Sequence, residues 1–281
     1  MQHAFLILAH DDIPLLSLLI RCLDDSRNAI FIHWDKKSGS VPRLETKHAG
    51  LFILDKRVRV NWAGYSMVEA EYLLFKEAFS KGPYAYYHLL SGADLPIKSQ
   101  DYIHSECERL AGTEFVGFTP DSQAVADYRT QHRFLFPEEF RTKNILKRGL
   151  RFLYLKYQDL MHTRRTDIIV KKGAQWCSLT HDVVAYLLEQ ENFVKDLFSN
   201  TYCPDEQFIQ TVIFNSPFSS KVKEAETEYD GNMRFIKWVD GELIPIQEQD
   251  FPQLKASDKW FARKFSSANK SLISLVTQLC R

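Results

Sequence analysis

Two acidic residues, Asp205 and Glu206, directly follow Pro204 at the start of a predicted helix over residues 204–214. The backbone dipole in the first turn of a helix favours an ionised carboxylate. An ionised Glu beside a substrate hydroxyl can act as a general base. Acidic residues without a catalytic role are also common at helix starts, so the position alone supports both interpretations.

Further polar side chains stand where the predicted buried strands end. They are His10, Asp11, Asp35, Ser91 and Asp94. In open α/β sheets, ligands bind in the crevice outside the carboxyl ends of the strands, and nucleotides commonly bind after the first two strands, which here end at His10 and Asp35. Acidic residues at strand ends also form ordinary turns, so a purely structural role stays open.

The sequence lacks the common motifs for phosphate and metal binding. Without G-x-G-x-x-G or G-x-x-x-x-G-K-[ST], a dehydrogenase and a P-loop NTPase are both disfavoured. H-E-x-x-H and Asp-x-Asp are absent too, and such an Asp pair holds Mg²⁺ or Mn²⁺ on a diphosphate in many sugar-nucleotide enzymes. Any bound diphosphate would therefore be neutralised by Lys and Arg. The candidate pair is Arg263-Lys264, flanked by aromatic residues, and its alternative is a solvated basic tail.

Three Trp residues stand in polar surroundings and could stack on the faces of sugar rings. They are Trp62, Trp176 and Trp238. Aromatic residues of this kind also occur as ordinary packing residues, so each Trp alone has two interpretations.

The elements that must position these residues alternate between strands and helices. Apolar runs predict strands at 4–9, 29–34, 51–54, 58–60, 84–90 and 114–118, and helical periodicity predicts helices at 13–23, 66–79 and 99–110. This alternation predicts an α/β fold with a mostly parallel sheet. The second half is less regular, with predicted strands at 175–179 and 234–238 and a polar C-terminal tail.

The formal charge is zero, because 36 Lys and Arg residues balance 36 Asp and Glu residues. A neutral chain is a poor match for a protein that coats nucleic acid. Residues 141–172 nevertheless hold ten Lys or Arg residues and two Asp residues. Within them, the predicted helix 144–161 is basic and amphipathic, a pattern that suits an anionic membrane surface. The alternative is an exposed helix whose apolar stripe packs on the domain.

Targeting and redox signals are weak. The five Cys residues are scattered without C-x-x-C spacing, which favours a reducing compartment over a disulfide framework or a zinc site. The N-terminus has no signal-peptide pattern, and no apolar run is long enough to span a bilayer. We therefore expect a cytoplasmic protein.

Taken together, the segments resemble the core-2/I-branching β-1,6-N-acetylglucosaminyltransferase family, glycosyltransferase family 14, which also contains the peptide O-xylosyltransferases. The matching segments, in family order, are AFLILAH at 4–10, IHWDKKS at 32–38, WAGYSMVEA at 62–70, YHLLSGADLPIK at 87–98, GAQWCSLT at 173–180, PDE at 204–206, RFIKW at 234–238 and FARKF at 261–265. The stretch 119–170 looks unlike the family.

The resemblance implies a GT-A-like fold, Rossmann-related, with a mixed sheet flanked by helices. It implies an inverting, metal-independent transfer of a sugar from a UDP-sugar, so no cofactor and no divalent metal are expected. One domain spans 1–281, with a nucleotide-sugar-binding half at 1–118, a basic variable insertion at 119–172 and a catalytic and acceptor half at 173–281.

The resemblance also implies roles for single residues. Glu206 looks like the catalytic base, and Lys264 is similar to the Lys that neutralises the donor diphosphate. His10, Asp35 and Trp62 fall on donor positions, and we add Arg263. Trp238 matches an aromatic residue that lines the acceptor sugar, and we add Trp176 to the acceptor side.

Two departures from the family pattern matter. The family places an Arg shortly upstream of its diphosphate Lys, but residues 243–247 contain none, and Arg263 or Arg234 could substitute. An acceptor-site aromatic residue is replaced by Asp240, so we expect another acceptor than that of the animal enzymes. The paired cysteines of the animal enzymes are also missing.

The sequence therefore predicts a bacterial-type transferase, with GlcNAc as the first choice of donor sugar. Its glycan acceptor would belong to surface-polysaccharide synthesis and could be lipid-linked at the inner face of the cell membrane, with peripheral contact through 141–172. Two alternatives stay open: a xylosyltransferase-like enzyme with another UDP-sugar, and a non-catalytic carbohydrate-binding or membrane-scaffold protein on the same fold. No nucleic-acid partner is expected.

Overall fold

A computed structural model describes residues 1–161, 165–239 and 242–280. The strands are β1 His3–Ala9, β2 Asn28–Trp34, β3 Gly50–Ile53, β4 Tyr86–Ser91, β5 Leu95–Pro96, β6 Ser178–Thr180, β7 Arg234–Ile236, β8 Trp238–Val239, β9 Glu242–Leu243 and β10 Phe261–Arg263. The helices are α1 Ile13–Cys22, α2 Tyr65–Lys81, α3 Gln100–Arg109, α4 Gln123–Gln131, α5 Ile145–Met161, α6 His181–Glu189, α7 Glu191–Phe198, α8 Phe208–Phe214, α9 Glu228–Asn232, α10 Phe251–Ala256 and α11 Lys270–Leu279.

The central sheet has five strands in the order β3-β2-β1-β4-β6. Strands β1 to β4 run parallel, and β6 pairs antiparallel with β4. Every residue of β1 and β2 is buried, because helices cover both faces of the sheet. The chain steps from β1 to β2 in one direction and later adds β4 on the other side, so the strand order reverses at β1. This is the arrangement expected of a Rossmann-related sheet.

The helices divide between the two faces of this sheet. Ala4, Leu6 and Leu8 of β1 point into one core, together with α2, α6, α7 and α8. The alternate residues of β1 point into the second core, together with α1, α3, α10 and α11. The predicted α/β fold, a mixed sheet flanked by helices, is therefore confirmed.

Local signals explain where the helices next to the crevice begin. The carboxylate of Asp12 accepts a hydrogen bond from the Leu15 amide and caps α1, which carries Pro in its first turn. The hydroxyl of Ser99 caps α3 in the same way. Asp12 follows β1 and Ser99 follows β5, so each cap begins a helix shortly after a strand ends.

The C-terminal segment is not the polar tail that the sequence suggested. Strand β10 pairs antiparallel with β5 and parallel with β7 in a second, three-stranded sheet. Trp260, Phe261, Leu272 and Val276 are buried in the second core. The prediction was wrong because these apolar residues are spaced among charged ones, and their common face only forms once the chain folds back on the sheet.

Three further predictions differ from the structure. Residues 58–60 form no strand pairing, although the Val58 amide donates to His33 Nε2. Residues 114–118 contribute isolated bridges from Glu114 and Phe115 rather than a strand. The helix predicted from residue 204 begins at Phe208, after a single 3₁₀ turn over Pro204–Glu206.

The described residues of the basic stretch 119–172, which are 119–161 and 165–172, include α4 and α5. The stretch is attached at the start of α2, where the Glu138 carboxylate accepts hydrogen bonds from the Ser66 amide and hydroxyl. The Glu138 carboxylate lies close to Gly64, so a side chain at position 64 would displace it from this contact. The division of the chain into 1–118, 119–172 and 173–281 stays a prediction.

In the described ranges, no helix has the length and apolar character to cross a bilayer.

Glu114 gives the fold a measurable pH dependence. Its buried carboxyl group accepts hydrogen bonds from the Thr180 amide and hydroxyl, and burial raises its pKa from 4.5 to about 7. Unfolding lets this group titrate near 4.5, so its contribution to stability is full below that pH and is lost as the pH rises through about 7. The shift corresponds to at most about 3 kcal/mol.

We expect the Glu114→Gln variant, in urea unfolding at pH 4.5 and 7.5, to lose the part of the pH dependence of stability that Glu114 contributes. An unchanged dependence would contradict this assignment.

Candidate active site

The loops after β1, β2 and β4 meet at the point where the strand order reverses. The Asp35 amide donates to the Ala9 carbonyl at 2.8 Å, and the Gly92 amide donates to the Leu8 carbonyl at 2.8 Å. The Ser38 hydroxyl donates to the His10 carbonyl at 2.5 Å. His10 and Asp35 therefore lie at one crevice, as their strand-end positions predict.

The two side chains differ in their freedom. His10 is exposed, with Nε2 3.3 Å from Asp11 Oδ2. Asp35 is buried, and its Oδ1 accepts hydrogen bonds from the Lys37 amide at 2.8 Å and the Val60 amide at 3.4 Å. Asp35 thus shapes the turn after β2, while the imidazole of His10 is open to a ligand.

The segment after β10 crosses the same crevice. The Phe265 amide donates to the Ala93 carbonyl at 2.9 Å, and the Ser267 amide donates to Asp12 Oδ2 at 2.9 Å. Lys264 lies within this segment and is exposed. The structure therefore brings Lys264 to the loops that carry His10, although 254 residues separate the two in sequence.

Arg263 and Trp176 form a packed pair beside Lys264. The guanidinium group of Arg263 lies 4.2 Å from the ring centre of Trp176, and its Nε is 3.4 Å from Asp94 Oδ1. Burial lowers the pKa of Arg263, and Trp176 is 6% exposed. The sequence placed Trp176 against an acceptor sugar, but the structure places its ring against Arg263.

Arg234 does not reach the crevice. Its buried guanidinium group donates to the carbonyl oxygens of Asn232, Leu89 and Cys177 and to the Ser178 hydroxyl. Arg263 and Arg234 were the two Arg residues that could assist Lys264. The guanidinium group of Arg234 is engaged with backbone carbonyl groups and is not available for this role.

Glu206 lies on the 3₁₀ turn that precedes α8. Its Oε2 is 2.8 Å from Arg129 Nη1 and 3.5 Å from Lys172 Nζ. The side chain is 35% exposed, whereas Arg129 and Lys172 are mostly covered at 15% and 17%. Two cations thus hold a carboxylate that stays open to solvent on its remaining side.

Two more acidic groups lie near Glu206. Burial, and then the charge of Glu206, raise the pKa of Asp205 above its usual range. Glu71 is fully buried and accepts a hydrogen bond from Gln175, and burial followed by the charge of Asp205 raises its pKa. Among these three acidic groups, Glu206 alone has cationic partners, so it is the one suited to react as a carboxylate.

Trp62 lies on the loop that contacts the turn of Glu206. The Cys203 amide donates to the Ala63 carbonyl at 3.1 Å, and the Trp62 ring meets Tyr202 edge-on at 5.9 Å. The Arg141 guanidinium group lies 4.0 Å above the Trp62 ring, which is 48% exposed. Trp62 therefore lies beside the candidate base, at a groove of about 240 Å³ that Arg141 and Phe140 also line.

Trp238 lies on β8, which pairs antiparallel with β9, and is 49% exposed. Burial raises the pKa of the neighbouring Tyr229, and Glu228 and Trp238 also act on this group. Glu228 in turn accepts a hydrogen bond from the Thr119 hydroxyl, which lies 3.5 Å from Lys172 Nζ. These contacts connect Trp238 to the cations around Glu206. Asp240 lies outside the described residues.

A possible metal-ligand cluster lies elsewhere. Within residues 1–161, 165–239 and 242–280, one group of His, Cys, Asp or Glu could hold a metal ion, namely His3, His88 and Cys107 in the core. The charge of Arg234 acts on both His88 and Cys107, which disfavours a divalent cation there. This cluster is fully buried and does not include the crevice residues.

The sequence interpretation missed Arg129 and Lys172. Both lie in 119–172, the stretch set apart as a basic insertion. Lys172 directly precedes the GAQWCSLT segment, which was an available signal. Arg129 lies in an ordinary polar helix, α4, and only the fold brings it to Glu206.

The chain belongs to the Core-2/I-Branching enzyme family, because the family model matches residues 3–261. Among similar proteins is mouse "Beta-1,3-galactosyl-O-glycosyl-glycoprotein beta-1,6-N-acetylglucosaminyltransferase 4", 24% identical over 94% of this chain and 62% of the mouse protein. Another is human "Xylosyltransferase 1", 25% identical over 74% of this chain and 21% of the human protein. This chain thus corresponds to only part of each relative's length.

Among similar solved structures is the apo form of mouse "Xyloside xylosyltransferase 1". The TM-score is 0.35 at 10% identity, with 76% of this chain and 81% of the mouse chain covered. This similarity is too low to bear on the fold or the site. The family resemblance noted in the sequence is confirmed by the family model alone.

Proposed function

We propose that this chain is an inverting, metal-independent glycosyltransferase that moves a sugar from a UDP-sugar to a glycan hydroxyl. The observation that carries the proposal is the Glu206 carboxylate, held by Arg129 and Lys172 and open on its remaining side. Membership of the Core-2/I-branching family supports the reaction class. GlcNAc is the first choice of sugar because of the name of the mouse relative.

Glu206 is proposed as the general base. Its carboxylate takes the proton of the acceptor hydroxyl as that oxygen forms a bond with the anomeric carbon. The bond from this carbon to the diphosphate oxygen breaks at the same time, and UDP leaves with the electron pair. A single displacement inverts the anomeric carbon, so an α-linked donor gives a β-linked product. Arg129 and Lys172 orient the carboxylate during this step.

Lys264 is proposed to stabilise the charge that develops on the departing diphosphate. It is exposed at the crevice, beside the loop that carries His10, and His10 and Asp35 complete the donor side. No Asp-x-Asp pair supplies a metal site in this sequence, so Lys264 takes the place of the metal. Arg263 packs on the Trp176 ring and lies near the Asp94 carboxylate, and these contacts are proposed to fix the position of the adjacent Lys264.

The exposed rings of Trp238 and Trp62 are proposed to contact sugar. Trp238 is linked through Tyr229 and Glu228 to the surroundings of Lys172, which supports a role on the acceptor side. Trp62 lies next to the turn of Glu206, where a donor sugar and an acceptor would meet. The Trp176 ring is buried against Arg263, so Trp176 is proposed to position Arg263 rather than to contact sugar.

The biological setting is part of the same proposal. The enzyme would act at the inner face of a bacterial cell membrane, on a lipid-linked glycan in surface-polysaccharide synthesis. Xylose is the second donor sugar to test, because other family relatives are named xylosyltransferases. A non-catalytic carbohydrate-binding protein is the outcome if no UDP-sugar reacts.

Glu206→Gln removes the proton acceptor but keeps the size of the side chain. We expect turnover to fall about 10²- to 10⁴-fold, the usual contribution of a general base, with UDP affinity within about twofold of the original. UDP release and calorimetric titration with UDP measure the two quantities. Glu226→Gln, at an exposed Glu outside the site, is the matched control. Turnover near that of the control would exclude Glu206 as the base.

Lys264→Ala removes the cation proposed to meet the diphosphate. A charged hydrogen-bond partner is worth about 1.5–3 kcal/mol, so we expect UDP to bind about tenfold to a hundredfold more weakly. The comparison is Lys270→Ala, an exposed Lys on the same C-terminal segment. Equal UDP affinity in the two variants would remove Lys264 from the donor site.

A further inference from the structure

Helix α5 presents an unusually apolar surface to solvent. Of its seventeen residues, one, Gln158, is buried. Large apolar side chains cover most of the remaining surface, with exposed fractions between 53% and 80%: Ile145, Leu146, Leu150, Phe152, Leu153, Tyr157, Leu160 and Met161. The structure therefore contradicts the alternative in which the apolar stripe packs on the domain.

A different face holds α5 in place, and its contacts are polar. The Arg151 guanidinium group donates to the carbonyl oxygens of Leu135, Phe136, Glu139 and Phe140. The Gln158 side chain exchanges hydrogen bonds with the backbone of Arg133. The helix is thus oriented by polar contacts on one side, with its apolar side directed outward. This is the reverse of what a helix on a globular core shows.

Basic residues border the apolar surface. Residues 141–161 contain six Lys or Arg residues and one acidic residue, Asp159. Arg148 and Lys156 are exposed, Lys156 lies over the Phe152 ring at 5.9 Å, and Lys147 pairs with Glu139 at the other margin. Long basic side chains beside exposed Leu and Phe are the pattern of a helix lying in the interface of an anionic bilayer.

We propose that α5 docks on an anionic lipid bilayer, with the apolar surface in the acyl boundary and the basic margin at the head groups. Charge complementarity selects this occupant, because a second copy of the chain would bring two basic helices together. At 1.5 Å per residue the helix is about 25 Å long, enough to lie in the plane of the interface. The inference deepens the proposed function, on which its biological role rests, while the binding to lipid can be tested apart from the transfer reaction.

Stacked side chains connect α5 to the candidate base. Arg151 lies over the Phe140 ring at 4.3 Å, and Phe140 packs on Tyr202 at 4.3 Å. Tyr202 lies under Arg129 at 4.9 Å, and Arg129 pairs with Glu206. A bilayer bound at α5 would therefore hold the site at a fixed distance from the lipid surface, where a lipid-linked acceptor presents its glycan.

The test is co-sedimentation of the full chain with vesicles of phosphatidylcholine alone or with added phosphatidylglycerol. We expect binding to the anionic vesicles, at least tenfold weaker binding to the neutral ones, and loss of binding at high salt. Leu146→Asp with Leu153→Asp should weaken binding at least tenfold. The control variant, Val41→Asp with Phe214→Asp, adds the same two negative charges at exposed apolar positions outside α5. It should bind anionic vesicles as tightly as the unsubstituted protein does.

Three results would overturn the proposal: no binding to anionic vesicles, equal binding to neutral ones, or full binding by the Leu146→Asp, Leu153→Asp variant. A dimer in light scattering that this variant dissociates would replace the bilayer with a second copy. Circular dichroism of each variant confirms folding. With a soluble acceptor, the rate of UDP release should be the same in both double variants. The absence of UDP release with vesicle binding intact would reject the transfer reaction and leave the docking surface standing.

Discussion

The buried guanidinium group of Arg234 joins the five-stranded sheet to the three-stranded sheet, and the geometry of the crevice depends on it. From the start of β7 it donates to the Leu89 carbonyl of β4 and to Cys177 and Ser178 at β6. Removing a cation from water costs several kcal/mol. Within the described residues, the Nη1 and Nη2 groups of Arg234 are hydrogen-bonded, Nε is not, and burial lowers the pKa of Arg234 to about 10. Because β7 also pairs with β10, this contact sets where Arg263 and Lys264 meet the ends of β1 and β4.

The second half of the site depends on the excursion 119–172. The turn of Glu206 is held against the Trp62 loop by backbone hydrogen bonding, but the cations on the carboxylate come from α4 and from Lys172. The excursion is itself fixed by Glu138 at the start of α2 and by Arg151 of α5. The stretch that resembles the family least is therefore the one that completes its candidate base and carries the exposed apolar helix.

The central sheet could be predicted because its strands are continuous apolar runs, and His10 and Asp35 followed from where those runs end. The family match of residues 3–261 confirms the resemblance that the ordered segments suggested. The predicted strand 234–238 contains β7, but its sheet could not be predicted, since β5 and β10 have two or three residues each and the three strands gain their pairing only in the fold. Arg129 and the structural role of Arg234 were hidden for a similar reason: an Arg in sequence does not show whether a carboxylate, a carbonyl or solvent will face it.

The central claim is that Glu206 and Lys264 serve one transfer reaction without a metal. Its most direct test is a screen of UDP-sugars with the purified chain, in which UDP release is measured in excess EDTA and again with added Mn²⁺. We predict release of UDP from one UDP-sugar, at the same rate in both conditions. Release that requires Mn²⁺, or no release from any UDP-sugar with a range of glycan acceptors, would contradict this claim.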